Sequence, residues 1–593
     1  MQKLLLVIPF FLFIATYGQN AKVAENYMNQ GETEKAKAIY EKLYEKNPNK
    51  GTNVLGLART QLELEEYTAA KTTLKKYLNK RKKPMATVFL GHVYSVEGKG
   101  EQAEIWYDKA IKLIDDNPFY AFTIGKQFEK YGLLDKAIIA YEKGNERRSS
   151  INFKVKLARI YGEKGDLKKM FSNYIDLILE RANYYGVIKR NFEGYINENP
   201  DNEANQIFRK LLIKNIQQEP KVILNEMLSW LYIQEKQYIK AFAQQKAVVM
   251  RSDASFQSLI NIGKIAEEEG YKQDAIKIYK KIVEEIDSKR AKVEATTALM
   301  KLKVKMAEST EFAKIEADYE NYLNKFGRNP DTEKMQQDYA RFLAFQLDKI
   351  DKAKQMISDL LNKNLYRFSE GSAKILLADI LVLEESFNQA LIYYSQVEKK
   401  LPNNKLGQKA KFKVAKTSYY KGDFKWAVTQ LDVLKKATSQ LIANDALELA
   451  LHIKDNGLRD STQTALQQVA QADLRLFQNK KVSAEKQLAK TVKEFPDHDI
   501  VDEVYFRLAE IYQQQGKYQQ AVDALKKIIN NYPDSILIDN AFFNLAEILQ
   551  YQLDKQKEAQ DYYGKILFDH QDSIFYVEAQ KQFRKLRDSQ EIN

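Results

Sequence analysis

Side chains suited to chemistry are few and scattered in this sequence of 593 residues. The histidines are His92, His452, His498 and His570, and no two stand at HExxH or any other metal-ligand spacing. Cysteine is absent, which excludes disulfides, Cys-based zinc sites and a thiol nucleophile. The Walker and GxSxG motifs are also missing. The sequence therefore predicts a protein that is not an enzyme and that holds no metal and no cofactor.

The segment from Gly98 to Ala103, GKGEQA, formally matches a GxGxxA phosphate-binding loop. Such a loop needs a preceding strand, and none is predicted here. Ala103 instead belongs to a periodic series of small residues. We therefore interpret this segment as a corner between two helices.

The stretch from Asp502 to Ser535 contains one complete copy of a structural unit that recurs along the chain. Its apolar periodicity predicts two amphipathic helices, Val504 to Gln514 and Tyr518 to Asn531. Gly516 between them is predicted to be left-handed, and Pro533 ends the second helix. A lone hairpin would leave one apolar face bare, so the pattern predicts a stack of hairpins.

Small residues mark where the two helices of each hairpin cross, and they recur along the chain. In the predicted second helices they are spaced by 34, 33, 34 and 33 residues, at Ala36, Ala70, Ala103, Ala137 and Met170. Their partners in the first helices lie twelve residues earlier, at Ala24, Ala58, Gly91, Gly125 and Ala158. Towards the C-terminus the period lengthens to 37 and 38 residues, at Ala484, Ala521 and Ala559.

The residues of the repeat unit resemble those of a known family. The tetratricopeptide repeat pattern is matched by Leu508, Ala509, Tyr512, Gly516, Tyr518, Ala521, Ile528 and Pro533. The resemblance implies an all-α fold, an α-solenoid or superhelix of stacked hairpins that serves as a protein-binding scaffold. From Ala465 to Asp588 the longer repeats are similar to those of bacterial envelope proteins that assist outer-membrane assembly or coordinate cell division.

The periodicity also predicts how the chain is divided. The segments are a signal peptide at 1–18, an N-terminal repeat array at 19–180, an irregular helical insert at 181–221, a repeat pair at 222–289, degenerate helical repeats at 290–365, a repeat pair at 366–440, a C-terminal array with longer loops at 441–575 and a capping helix at 576–593.

The N-terminus predicts export. Lys3 precedes an apolar run from Leu4 to Ala15, which is too short to cross a bilayer and typical of a secretory signal cleaved before Gln19. With cysteine absent, this favours a protein of the bacterial periplasm or cell envelope that is soluble after cleavage.

The resemblance implies that the residue after each small first-helix position points into a concave groove. These residues are Arg59, His92, Lys126, Arg159 and Lys264 in the first half, and Asp379, Lys416, Asp473, Glu510 and Glu547 in the second. We expect the N-terminal groove to bind an acidic segment of another envelope protein and the C-terminal groove a basic one, with Phe122, Phe412 and Phe506 as apolar contacts. The alternative is a periplasmic module that binds a peptide or glycan in the same groove.

The net charge of +13 raises the question of anionic partners. A basic cluster from Lys75 to Lys83 has Tyr77 as its one interleaved aromatic residue, and export removes the chain from cytoplasmic nucleic acid, so no nucleic acid is expected. Peripheral contact with lipid headgroups or anionic wall polymer is the electrostatic alternative, and a solvated helix end is the simpler interpretation.

Three tripeptides resemble the acceptor sequence of a bacterial envelope O-glycosylation system: Asp460-Ser461-Thr462, Asp534-Ser535-Ile536 and Asp572-Ser573-Ile574. The alternative interpretation is that each Asp/Ser pair caps the next helix.

Overall fold

The computed structural model describes residues 21–79, 83–147, 152–435, 440–457 and 462–590. The predicted signal peptide, residues 80–82 of the basic cluster and residues 460–461 of the first acceptor-like tripeptide lie outside these ranges. All regular secondary structure in the described ranges is helical, which confirms the predicted all-α class. The chain divides into two compact units between Ile278 and Tyr279.

The first unit contains the following helices: α1 (Ala21–Asn29), α2 (Thr33–Lys46), α3 (Gly51–Glu63), α4 (Tyr67–Leu78), α5 (Pro84–Val96), α6 (Gly100–Asp116), α7 (Tyr120–Lys130), α8 (Leu134–Glu146), α9 (Lys154–Glu163), α10 (Leu167–Glu180), α11 (Tyr185–Phe192), α12 (Glu203–Gln218), α13 (Val222–Gln234), α14 (Tyr238–Arg251) and α15 (Gln257–Glu268). The division between the units falls within α16 (Lys272–Glu285).

The second unit continues with α17 (Lys289–Met306), α18 (Phe312–Phe326), α19 (Glu333–Phe345), α20 (Ile350–Leu361), α21 (Arg367–Leu383), α22 (Phe387–Lys400), α23 (Lys405–Lys421), α24 (Phe424–Leu434), α25 (Gln440–Gly457), α26 (Thr464–Phe477), α27 (Lys481–Glu494), α28 (Val501–Gln514), α29 (Tyr518–Asn531), α30 (Ile538–Tyr551), α31 (Gln556–Asp569) and α32 (Tyr576–Gln590). Consecutive helices pack as antiparallel hairpins in each unit, so each unit is an α-solenoid.

The turn inside each hairpin follows the predicted chemistry. Gly516 has φ +72°, and the N–H of Lys517 donates to the carbonyl of Tyr512 at 2.8 Å, which caps the end of α28. Hairpins of the first unit use the same device at Gly31, Gly98, Gly132 and Gly165, with φ between +71° and +83°. Other turns place a non-glycine residue in this conformation, for example Glu65 at φ +58°.

The helix crossings explain the series of small residues. A Cβ added to Gly91 would lie 2.6 Å from the ring of Tyr107, and one added to Gly125 would lie 2.4 Å from the ring of Tyr141. Both tyrosines are buried, so the ring of the second helix fills the space that the missing side chain leaves. Tyrosines of other hairpins in the first unit, such as Tyr40 and Tyr174, are buried in the same way. Tyr27 differs, since it is half-buried.

The longer C-terminal corners link neighbouring hairpins. The hydroxyl of Ser535 donates to the carboxylate of Asp502 at 2.5 Å and accepts the N–H of Leu537 at 3.0 Å. Ser573 repeats this arrangement with Asp539 at 2.6 Å. Each serine therefore links its corner to the first helix of the preceding hairpin, and no side-chain bond of the Asp534-Ser535 pair caps α30, in contrast to the predicted capping.

The segments without a clear sequence period are also helical. Between 181 and 221 the chain forms one turn of 3-10 helix, α11 and α12. Between 290 and 365 it forms hairpins α17–α18 and α19–α20, with Ala353 and Leu360 of α20 fully buried. The division of the chain into repeat arrays stays a prediction.

Candidate partner-binding groove

The first helices of the first four hairpins line one open cleft, which we call the N-terminal groove. It is defined by side chains of α1, α3, α5 and α7 and has a volume of about 380 Å³. Because the lining residues come from four consecutive hairpins, the groove exists only when the hairpins stack. Its apolar lining includes Met28, Leu55 and Phe89.

Two of the predicted groove residues lie in this cleft. Arg59 of α3 and His92 of α5 both line it. Lys126 and Phe122 of α7 are exposed but lie outside the cleft lining, and Lys264 is exposed on α15.

Arg159 is engaged within the chain. Its guanidinium forms an ion pair with Glu129 of the preceding hairpin, and Nε lies 3.8 Å from the carboxylate of Glu163. Since its charge is already balanced, Arg159 is a weaker candidate for a partner contact than Arg59.

Sequence reasoning missed an aromatic stack at the centre of the groove. The rings of His92 and Tyr131 lie 3.8 Å apart at an interplanar angle of 10°, and the ring of Phe89 lies 6.2 Å from that of Tyr131. Tyr131 directly precedes a turn glycine, where the neighbouring hairpins have Glu97 and Lys164. This departure from the repeat is the signal that would have identified it.

The groove carries charges of both signs. Glu25, Arg59, Glu63 and Lys130 all line it, and within the described part of the chain none of them has an ion-pair partner within 4.0 Å. Burial lowers the pKa of Lys130, Arg59 adds to this effect, and Glu25 and Glu63 partly oppose it. Burial and the charge of Lys130 also lower the pKa of His92, so this ring is neutral at pH 7.

The predicted residues of the second unit have varied surroundings. Phe412 lines a separate cleft on α23, described below, and Phe506 is half-buried against the C-terminal core. Glu510 is solvent-exposed on α28, but partial desolvation by the surrounding protein raises the pKa of its carboxyl; Arg507 opposes this effect, and the charges of Asp473 and Glu448 add to it. Burial, reinforced by Glu578, likewise raises the pKa of Glu547 on α30.

Asp473 and Asp379 have their charges balanced inside the chain. The carboxylate of Asp473 accepts hydrogen bonds from Arg507 Nε at 3.0 Å and from the hydroxyl of Tyr419 at 2.8 Å. Asp379 accepts from Lys413 Nζ at 2.7 Å and from the hydroxyl of Tyr394 at 2.6 Å. These two acids therefore add no unbalanced negative charge to the surface for which the sequence predicted a basic partner.

Asp473 belongs to a larger buried polar network. His452 bonds to Glu503 through Nδ1 and contacts the hydroxyl of Tyr419 through Nε2 at 3.1 Å, so this histidine has partners that its sequence context did not reveal. Burial alone would raise the pKa of Glu503, but the bond with His452, the charges of His452 and Arg507 and the amide of Asn456 outweigh it and lower the pKa to about 2. The network joins α23, α25, α26 and α28.

Two kinds of feature are absent from the described ranges. In these ranges, no group of three or more His, Asp or Glu side chains is placed to hold a metal ion. No helix there combines the length and apolar character needed to span a bilayer.

Comparison with known proteins gives three matches to family models, each described as a tetratricopeptide repeat. They cover residues 27–87, 256–286 and 503–535. The first match includes α3 and Arg59 of the N-terminal groove, and the third includes the hairpin α28–α29. No curated protein sequence matches the chain.

Two solved structures are similar to the chain over most of its length. The crystal structure of yeast Tom70 is 15% identical with a TM-score of 0.30, over 88% of this chain and 97% of that one. The crystal structure of the APC/C hetero-tetramer Cut9-Hcn1 is 12% identical with a TM-score of 0.21, over 95% of each chain.

Proposed function

We propose that this chain, a tetratricopeptide repeat protein, is a non-catalytic scaffold of the bacterial cell envelope that binds other proteins through the N-terminal groove. One observation carries the proposal. The groove is open, is built from four consecutive hairpins, and presents beside apolar side chains charges of both signs that have no ion-pair partner among the described residues.

This combination suits a protein segment better than a small ion. Apolar contacts such as Met28 and Leu55 supply area that is removed from water, while Arg59 and Lys130 attract carboxylates and Glu25 and Glu63 attract cations. Charges that are already paired would have to lose their partners first. The free charges of this groove select the orientation of the bound segment without that cost.

The location in the envelope is proposed from the sequence. Lys3 and the apolar run from Leu4 to Ala15 have the order of a secretory signal, and the absence of cysteine suits an exported bacterial protein. A tagged full-length chain expressed in a Gram-negative host tests it. The proposal expects the chain in the periplasmic fraction without residues 1–18, and recovery of the intact chain in the cytoplasm would contradict it.

The binding proposal is tested by co-purification of the chain starting at Gln19, with bound proteins identified by mass spectrometry. A double variant, Arg59→Glu with Lys130→Glu, reverses the charge of the arginine and the lysine that line the N-terminal groove. Lys42→Glu, an exposed lysine on the second helix of its hairpin, makes a matched charge control. A stoichiometric partner retained by Lys42→Glu and lost by the groove variant supports the proposal, and equal recovery with both variants contradicts it.

The aromatic stack favours a second candidate function, a module that binds a peptide or glycan. Rings such as those of His92 and Tyr131 offer a flat surface to a sugar or to another ring. Native mass spectrometry of the purified chain tests this function. A small ligand retained by the wild type and lost from Tyr131→Ala would favour it over the scaffold.

A further inference from the structure

The second unit contains a cleft of different character, which we call the lysine cleft. One wall is the face of α23 from Lys405 to Lys416, and the other is the start of α25 from Leu441 to Asp445. Its volume is about 340 Å³. It is separate from the N-terminal groove, since all the residues that line it belong to the second unit.

Lysines dominate the polar lining of this cleft. Lys405, Lys409, Lys413 and Lys416 are spaced by four, four and three residues, so they lie on one face of α23. Lys413 is paired with Asp379, as described above. Within the described ranges, the other three have no carboxylate within 4.0 Å, and Asp445 is the one acid among the described lining residues.

The floor of the cleft is apolar. Phe412 and the rings of Tyr420 and Phe477, whose centroids are 6.0 Å apart, form it, and Leu441 stands at the rim with 67% of its surface exposed. A large apolar side chain fits between these groups, because sites of a few hundred Å³ with an aromatic lining accept groups of that size.

The free cleft is electrostatically unfavourable for its own cations. Lys409 and Lys416 are in contact with solvent, but partial desolvation by the cleft lowers the pKa of both side chains. The neighbouring Lys413 adds to the effect, and Asp473 opposes it at Lys416. Carboxylates brought by a ligand would offset this cost, since they stabilise the charged form of each lysine.

From this geometry we propose that the lysine cleft binds a protein segment in which acidic residues flank a large apolar side chain. Lys405 and Lys416 lie eleven residues apart on α23, which is roughly 16 Å at about 1.5 Å per residue. Alternate side chains of an extended segment share a face, so two carboxylates four residues apart, with an apolar side chain between them, are about 13 Å apart and fit within this row. A single lipid headgroup is too short to reach its ends.

The inference rests on the scaffold function proposed above, but it concerns a second site. This site prefers an acidic partner, which is opposite to the partner that the sequence predicted for the second half of the chain. The sequence predicted a basic partner for the C-terminal groove. In this part of the second unit the acids Asp379 and Asp473 are balanced internally, and the described lining of the cleft has three lysines without an ion-pair partner against one acid, Asp445.

Fluorescence anisotropy with the chain from Gln19 tests this inference. The probe is a labelled peptide in which two Glu-Asp pairs flank Phe-Leu, and its controls replace the acids by Gln-Asn or Phe-Leu by Ser-Ser. The protein variant is Lys409→Gln with Lys416→Gln, two exposed lysines, and Lys425→Gln on α24 is the matched exposed control. Circular dichroism verifies that each variant keeps its helix content.

The inference expects saturable binding of the acidic probe, at least tenfold weaker for either control peptide and for the double variant, and unchanged for Lys425→Gln. Binding that responds to Arg59→Glu but not to the double variant would overturn it and assign the probe to the N-terminal groove. Absence of binding up to 1 mM probe would also overturn it, as would binding confined to anionic phosphatidylglycerol vesicles. In each of these cases, co-purification of partners that depends on Arg59 leaves the scaffold function standing, so the two failures are distinguishable.

Discussion

The replacement Gly125→Ala tests whether the repeat is set by the close approach of two helices. The added Cβ would lie 2.4 Å from Cε1, 2.5 Å from Cζ and 2.8 Å from Cδ1 of Tyr141. The ring cannot move away freely, because it is fully buried, stacks on Phe153 at 5.1 Å and has its hydroxyl bonded to Glu129.

The magnitude follows from two opposing effects. Forcing one extra methyl group into a packed interior costs about 1–3 kcal/mol. Replacing glycine by alanine inside a helix returns about 1 kcal/mol. We therefore expect Gly125→Ala to lower the free energy of unfolding by up to about 2 kcal/mol, despite the better helix propensity of alanine.

Gly100→Ala is the matched control, because a Cβ at Gly100 would meet no atom within 4 Å. It should leave stability unchanged or raise it by less than about 1 kcal/mol. Urea unfolding followed by circular dichroism measures the effect. Hydrogen exchange of the amides in α7 and α8 locates it, since long repeat arrays need not unfold in one step.

A double variant distinguishes a clash from a general loss of stability. Adding Tyr141→Leu to Gly125→Ala removes the ring that the methyl group meets, so the two losses should be less than additive. The packing argument would be refuted if Gly125→Ala had the same free energy of unfolding as Gly100→Ala and if the two losses in the double variant were additive.

Further predictions concern the polar network and the turns. The folded state lowers the pKa of Glu503 from its ordinary value of 4.5 to about 2, so the stabilisation by its carboxylate is present above pH 4.5 and is lost as the pH falls towards 2. Glu503→Gln should therefore lower the free energy of unfolding by up to about 3 kcal/mol at pH 7. Urea titrations should show a smaller difference from the wild type at pH 3 than at pH 7, and an equal difference at both pH values would contradict the prediction. Glu65→Gly should stabilise the turn after α3 by up to about 1 kcal/mol, because φ +58° strains a residue with a Cβ, and an unchanged urea midpoint would argue against strain. Ser573→Ala should lower the free energy of unfolding by about 1 kcal/mol, because Asp539 and the N–H of Phe575 lose the hydroxyl that bonds to both. Ser309→Ala, which changes an exposed serine outside the corners, is the control.

The repeat unit was predictable because its determinants are local. Gly516, Ala509 and Ala521 stand at fixed spacings that allow one turn and one crossing, and α29 begins and ends at the predicted residues. Helix α28 begins at Val501, three residues before its predicted start at Val504, because the corner loop before it is shorter than the sequence pattern indicated.

The groove was only partly predictable because its composition depends on contacts between repeats. Arg59 and His92 were found from their register, but Tyr131 reaches the groove through the stacking of one hairpin on the next. Asp473 has the same register as Glu510, yet it meets Arg507, which lies 34 residues later. The register of a residue within its own repeat does not predict contacts with side chains of the next repeat, such as the ion pair between Asp473 and Arg507.

The central claim is that the N-terminal groove is a surface for protein partners, and site-specific photo-crosslinking tests it most directly. A benzoylphenylalanine placed at Leu55, which lines the groove, is compared with one at the exposed Lys42 of α2 in cells that produce the exported chain. The account predicts a discrete protein adduct from Leu55 that weakens when Arg59→Glu is added, and no such adduct from Lys42. Adducts of equal yield from both positions, or none from Leu55, would contradict it.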